Sequence, residues 1–236
     1  MEEENLEPVS PDKEQYFKDE ILKLKKQLRE AYREQNLADE VREKAFELSR
    51  HSYNPPSWLT STTENRNGIP TLFISDWHWG EVVNPAEISG RNEFNLSIAQ
   101  ERARLCFQRF CDIYTNHIQA SEYDGCVLAM GGDMVSGTIH DELTETNDVE
   151  IMPAVIDCAE NIIAGIRTLL ENYSKVACFG VVGNHGRTTQ KSKFKKKVHT
   201  SYDWLIYTIC EKFFEDDDRV RFNIPESSDC MFSILG

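Results

Sequence analysis

The chain has 236 residues, with 26 Lys and Arg against 40 Asp and Glu, a formal net charge of -14 and a pI near 4.9. At 40% hydrophobic and 28% charged it is too apolar to be disordered throughout. No apolar run approaches the roughly 18 residues a membrane span requires. The amino terminus, Met1-Glu2-Glu3-Glu4, is the reverse of a signal peptide, and a cytoplasmic location is expected. Seven scattered cysteines without a CxxC pair agree, and Cys126, Cys178 and Cys210 lie in apolar runs expected to be reduced core positions. A uniformly acidic surface repels nucleic acid, so such a partner requires a local basic patch.

Residues 1–50 hold 14 acidic and 10 basic residues, with no Gly or Pro between Pro11 and Arg50, and are expected to form a long helix. Phe17, Ile21, Leu24, Leu28 and Ala31 recur at spacings of four and three, and Val41, Ala45 and Leu48 resume the stripe. This is a coiled-coil-like seam, to be buried against a second copy in a homo-oligomer or against the protein's own body. Residues 51–68, with Pro55-Pro56 and many Ser, Thr and Asn, are expected to be a linker. Residues 69–236 then form one α/β domain. Its expected elements are a strand over 71–75, a helix over 95–119, a strand over 126–130 and a helix over 153–172 with Pro153 in its first turn. A strand over 176–182 and a helix over 202–214 follow. Residues 220–224 and 230–235 are expected to open a second sheet.

Each of the first three strands ends in ligand-type residues: Asp76-Trp77-His78, Gly131-Gly132-Asp133 and Gly183-Asn184-His185. In a sheet with crossover helices the carboxyl ends of the strands meet at one edge, so clusters more than 50 residues apart in the chain should converge. Asp76 and His78, two apart on an extended strand end, are expected to point the same way and hold one cation. Asp133 has two oxygens and can bridge two cations, while the preceding glycines remove side chains that would block a close approach. Asn184 offers a neutral oxygen to a second metal, and His185 is left to donate a proton or hydrogen bond to a reacting oxygen. Mixed carboxylate, imidazole and amide ligands suit Mn, Fe or Zn more than Ca. Trp77 and Trp79, flanking His78, either wall the pocket and stack on a base or pack in the core. His117, late on a helix, is expected to serve the helix C-terminus rather than a metal, and His140 to be a loop residue.

This order, D-x-H, then G-D, then G-N-H, each after an apolar strand, closely resembles the calcineurin-like metallophosphoesterase superfamily across roughly residues 69–236. The resemblance implies the two-layer sandwich of that superfamily, with Asp76 and His78 on a first metal, Asp133 bridging, Asn184 on the second, and His185 contacting the scissile phosphate. It further implies two divalent cations roughly 3.5 to 4 Å apart, Mn2+ foremost with Fe, Zn or Mg as alternatives, and hydrolysis of a phosphate ester by a hydroxide they activate. The superfamily also supplies a histidine and a G-H-x-H pair from a second sheet. None of the six histidines here (His51, His78, His117, His140, His185 and His199) follows the last strand, so the expectation is a fragment or a site short of ligands.

The branch of protein Ser/Thr phosphatases has an acidic-Arg-Gly extension after G-D and a Glu after G-N-H. Here those positions read Met134-Val135-Ser136-Gly137 and Gly186-Arg187, which disfavours that branch. Arg187, Lys191, Lys193, Lys195, Lys196 and Lys197 follow the third cluster with no acidic residue between Gly186 and Tyr202, an attractor for a polyanion or a solvated loop. The segment is also similar to phage-encoded phosphoesterases of the DNA-repair-exonuclease type. The expected function is therefore a nuclease or phosphodiesterase acting on DNA or RNA. The alternatives are a catalytically inactive nucleic-acid-binding or assembly module, and a nucleotide phosphomonoesterase.

Overall fold

In the computed structural model, the described residues are 56–60, 68–118, 123–137, 146–189, 197–227 and 229–232. The helix and seam expected over 1–50, most of the expected linker, and the end of the expected strand over 230–235 lie outside them. Four strands, β1 (Thr71–Ile74), β2 (Cys126–Met130), β3 (Val176–Gly180) and β4 (Val220–Asn223), pair in parallel in the order β1-β2-β3-β4. Three helices make the crossovers: α1 (Leu96–Asp112), α2 (Ile151–Asn172) and α3 (Tyr202–Phe213). Because parallel crossovers are right-handed, strands that advance always in one direction put all three helices on one face.

The burial pattern agrees. Leu72, Ile74, Leu128, Met130, Cys178 and Val220 join one core with Phe107 of α1, Ile162 of α2 and Ile206 of α3. Among the described residues the opposite face is covered by short segments: Val127, Ala177 and Phe179 pack with Leu59, Trp58 and Phe232. The Phe179 and Phe232 rings stack with centroids 3.7 Å apart. Leu59 belongs to a single helical turn, Ser57–Thr60, within the stretch expected to be a linker, and its side chain is fully buried. Central β2 and β3 are apolar on both faces, whereas edge strand β1 alternates, leaving Phe73 66% exposed.

The α/β reading holds, with element ends displaced by a few residues. Helix α1 starts where Asn95 caps it, accepting from Ile98 N–H at 2.9 Å, and its α geometry gives way to a π turn, Ile113–His117. His117 ends that turn, and its Nε2 lies 3.5 Å from Asp112 Oδ2. Helix α2 begins two residues before Pro153, which sits in its first turn. One expectation is corrected. Residues 220–223 do not open a second sheet but pair in parallel with β3 as the fourth strand of the first. The apolar face of α3, with Ile206, Tyr207 and Cys210 buried, carries the chain back over the sheet, and the available partner edge is β3. Among the described residues, no helix is long and apolar enough to cross a membrane.

Candidate metal centre

The three polar clusters meet at the carboxyl edge of the sheet. Beyond the strand ends, the loop after β1 stays bound to the loop after β2. Asp76 N–H donates to Gly132 O at 3.0 Å, His78 N–H to Asp133 O at 3.1 Å, and Trp79 N–H to Met134 O at 2.9 Å. The loop after β3 joins through the Asp133 carboxylate, whose Oδ1 accepts from Asn184 and His185 N–H, each at 2.6 Å. Gly132 has φ +91°, and a side chain there would overlap the Gly183 backbone. A Cβ on Gly183 would in turn overlap the Asp133 carboxylate. The glycines therefore let two loops touch, a more specific need than access for an ion.

His78, Asp133 and His185 bring potential ligand atoms within 4.8 Å of one another. The two imidazole rings stand edge to face with centroids 4.6 Å apart. Asp133 is only 8% exposed, and among the described residues its Oδ2 accepts no hydrogen bond, leaving a carboxylate oxygen for a cation. His78 Nδ1 lies 3.6 Å from Glu81 Oε2, and His185 Nδ1 lies 3.4 Å from Ser136 O, contacts that orient the rings. Asp76, His78 and Asp133 all have left-handed backbones, with φ of 55°, 46° and 52°. Such strain in non-glycine residues is tolerated where the surroundings hold it, and it clusters at functional sites. One imidazole and one carboxylate, His78 and Asp133, form a donor pair that suits Mn, Fe or Zn, with the His185 imidazole beside them.

The remaining expected residues fall as follows. Asp76 is exposed and its Oδ2 accepts from the Ser75 hydroxyl. The rule that put Asp76 and His78 on one side assumed extended backbone; both residues are left-handed instead, and only His78 joins the three-residue group. Asn184 is exposed beside His185, its carbonyl accepting from Arg187 Nη1 at 2.7 Å. Arg187 also donates from Nε to Thr189 O at 3.0 Å, so its guanidinium braces the loop. Lys197 is half-buried at the end of the basic segment, whose neck is closed by Thr188 N–H on Thr200 O at 2.8 Å. Lys191, Lys193, Lys195, Lys196 and His140 lie outside the described residues. Trp79 is core, 1% exposed, and donates to Asp157 Oδ2 at 2.6 Å, and the half-buried Trp77 lines an open cleft together with it.

Sequence reasoning missed Asp203. Fully buried in the first turn of α3, its carboxylate accepts from Asp133 N–H at 3.1 Å, Met134 N–H at 3.0 Å and Gly183 N–H at 2.9 Å. It clamps the second and third loops at their contact. Burial pushes its carboxyl up from the ordinary value, the three N–H groups oppose that, and the nearby Asp133 charge adds to it. In sequence Ser201-Tyr202-Asp203 looks like an ordinary helix start, and Ser201 does cap α3 by accepting from Asp203 N–H at 3.2 Å.

No family model, curated protein or solved structure matches the chain.

Proposed function

We propose that the protein is a metal-dependent phosphoesterase, acting on phosphodiesters of nucleic acid. The supporting observation is the convergence of His78, Asp133 and His185 at one sheet edge, from loops more than 50 residues apart, with ligand atoms within 4.8 Å. On this reading His78 and Asp133 hold the cation, with Asp76 and Asn184 on its flanks as further ligands where two ions bind. Cations held there would supply charge neutralisation at the phosphate and would lower the pKa of a bound water so that it could act as hydroxide near neutral pH. His185 donates a hydrogen bond to a phosphoryl oxygen, and Asp133 Oδ1 keeps its imidazole in place through the main chain. The one-sided helix layer supports a calcineurin-like sandwich, in which a second layer covers the opposite sheet face.

Asp133→Asn tests the reading. It keeps the shape of the side chain and removes its charge, so Mn2+-dependent hydrolysis of bis-p-nitrophenyl phosphate should fall to background. Bound manganese, read by atomic absorption, should fall with it while circular dichroism stays native. Turnover equal to the parent protein overturns the reading.

A further inference from the structure

A cleft of about 460 Å3 opens beside the metal centre, between the segment following β1 and the first half of α1. Asp76 and His78 line it, so the cleft and the candidate centre share His78. Trp77, Trp79, Glu81, Phe94 and Arg102 are among the other residues that line it.

These groups are held in place by the fold. Phe94 exchanges both main-chain hydrogen bonds with Val83, at 2.9 and 3.2 Å, closing the loop between them. The Trp77 ring lies 5.6 Å from that of Trp79 and meets Phe107 edge-on at 6.4 Å. Trp79 is itself anchored on Asp157, which also accepts from Gln100 Nε2 at 3.0 Å and thereby links α1 and α2. The Arg102 guanidinium is exposed and lies 5.4 Å over the Phe94 ring, and among the described residues no carboxylate pairs with it. It is a charged donor fork that lies over one face of the Phe94 ring and is open to solvent.

Aromatic rings beside a guanidinium, next to a centre suited to a phosphate, match the parts of a nucleotide. A base stacks on a ring face, and the fork takes phosphate oxygens. We propose that this cleft is a nucleobase subsite, where Trp77 and Phe94 stack the base adjoining the scissile phosphate and Arg102 takes the neighbouring phosphate. The proposal rests on the phosphoesterase reading for the position of the scissile group. Stacking tolerates every base, since each has a π-face, so the subsite selects nucleotides over base-free esters and not one sequence over another.

Direct calorimetric titration of the full chain with adenosine 5′-monophosphate and with ribose 5-phosphate, in Mn2+, isolates the contribution of the base. The nucleotide should bind about tenfold tighter or more, given what one stacked base contributes. Phe94→Leu and Trp77→Leu should reduce it to the level of ribose 5-phosphate and leave the sugar phosphate unchanged. Arg102→Ala should erase the additional gain of adenosine 3′,5′-bisphosphate over the monophosphate. If Trp77→Leu does not fold, because the ring packs on Phe107, Phe94→Leu decides. Equal binding of the two probes by the parent protein, or a difference that survives Phe94→Leu, overturns the subsite. Discrimination without hydrolysis of bis-p-nitrophenyl phosphate supports the subsite and overturns the phosphoesterase reading; hydrolysis without discrimination does the reverse.

Discussion

Asp203 concentrates at one carboxylate the link between two loops that the chain separates by about 50 residues. Its oxygens are the acceptors for three main-chain N–H groups, two of them from Asp133 and Met134 and one from Gly183. Asp203→Asn is nearly isosteric, yet it turns one acceptor into an NH2 group facing backbone N–H. At least one buried donor then loses its partner, at a cost of about 1–3 kcal/mol. Urea denaturation should show that loss. Manganese affinity should drop as well, because Asp133 and Gly183 no longer share a fixed contact, and outer-shell partners typically matter 10–100-fold to metal binding. Stability and manganese affinity both equal to the parent's would show that Asp203 has no such role.

At the scale of elements, α1 and α2 pack where Gly165 meets Phe107. The Phe107 ring is 1% exposed and lies directly on Gly165, so an added Cβ would fall inside the ring's surface. Gly165→Ala therefore sets two effects against each other. Alanine improves the helix by about 1 kcal/mol, while overpacking a buried ring costs about 1–3 kcal/mol. The ring is clasped by the core and has no free end to move, so the second effect wins. The expected result is a net loss on the order of 1 kcal/mol in thermal or urea unfolding, relieved by Phe107→Leu in the same chain. A more stable Gly165→Ala protein would mean that the helices separate easily. The same packing brings α1 and α2 together at the loop after β1, through Gln100, Asp157 and the Trp79 indole.

Across the whole molecule, the cysteines report on the core. Cys111, Cys126, Cys158, Cys178 and Cys210 are buried, and Cys106 and Cys230 are partly accessible. Burial raises every one of these thiols, Cys210 to about 12 and Cys158 and Cys178 well above the ordinary value. Since the thiolate is the nucleophile, alkylation of the native protein at pH 8 should be slow and confined to Cys106 and Cys230. Mass spectrometry after iodoacetamide should find those two modified first and the other five only after denaturation. Early labelling of Cys178, at the centre of β3, would mean that the sheet opens as a whole.

Local pattern made much of this legible. Apolar β-rich runs such as Cys126–Met130 and amphipathic stretches such as Leu96–Asp112 announce themselves, because burial on one or both faces imposes a period on the chain. The ligand-type residues at the strand ends were legible for a related reason: a parallel sheet brings its carboxyl ends to one edge whatever the loops do in detail. What local pattern does not contain is the partner of each atom. The turn of Asp76 and His78 into left-handed backbone depends on hydrogen bonds to Gly132 and Asp133, some 55 residues away. The sheet that receives Val220–Asn223 depends on which edge α3 returns to. Trp77 and Trp79, alike in sequence, differ in burial because the Trp79 indole reaches Asp157 on α2. The amino-acid order alone determined the α/β class and the residues that gather at the sheet edge, since both follow from periodicity and strand direction. Only the tertiary structure decided that His78, Asp133 and His185 share one point and that Asp203 holds them there, because those contacts join segments whose separation in the chain carries no local signal.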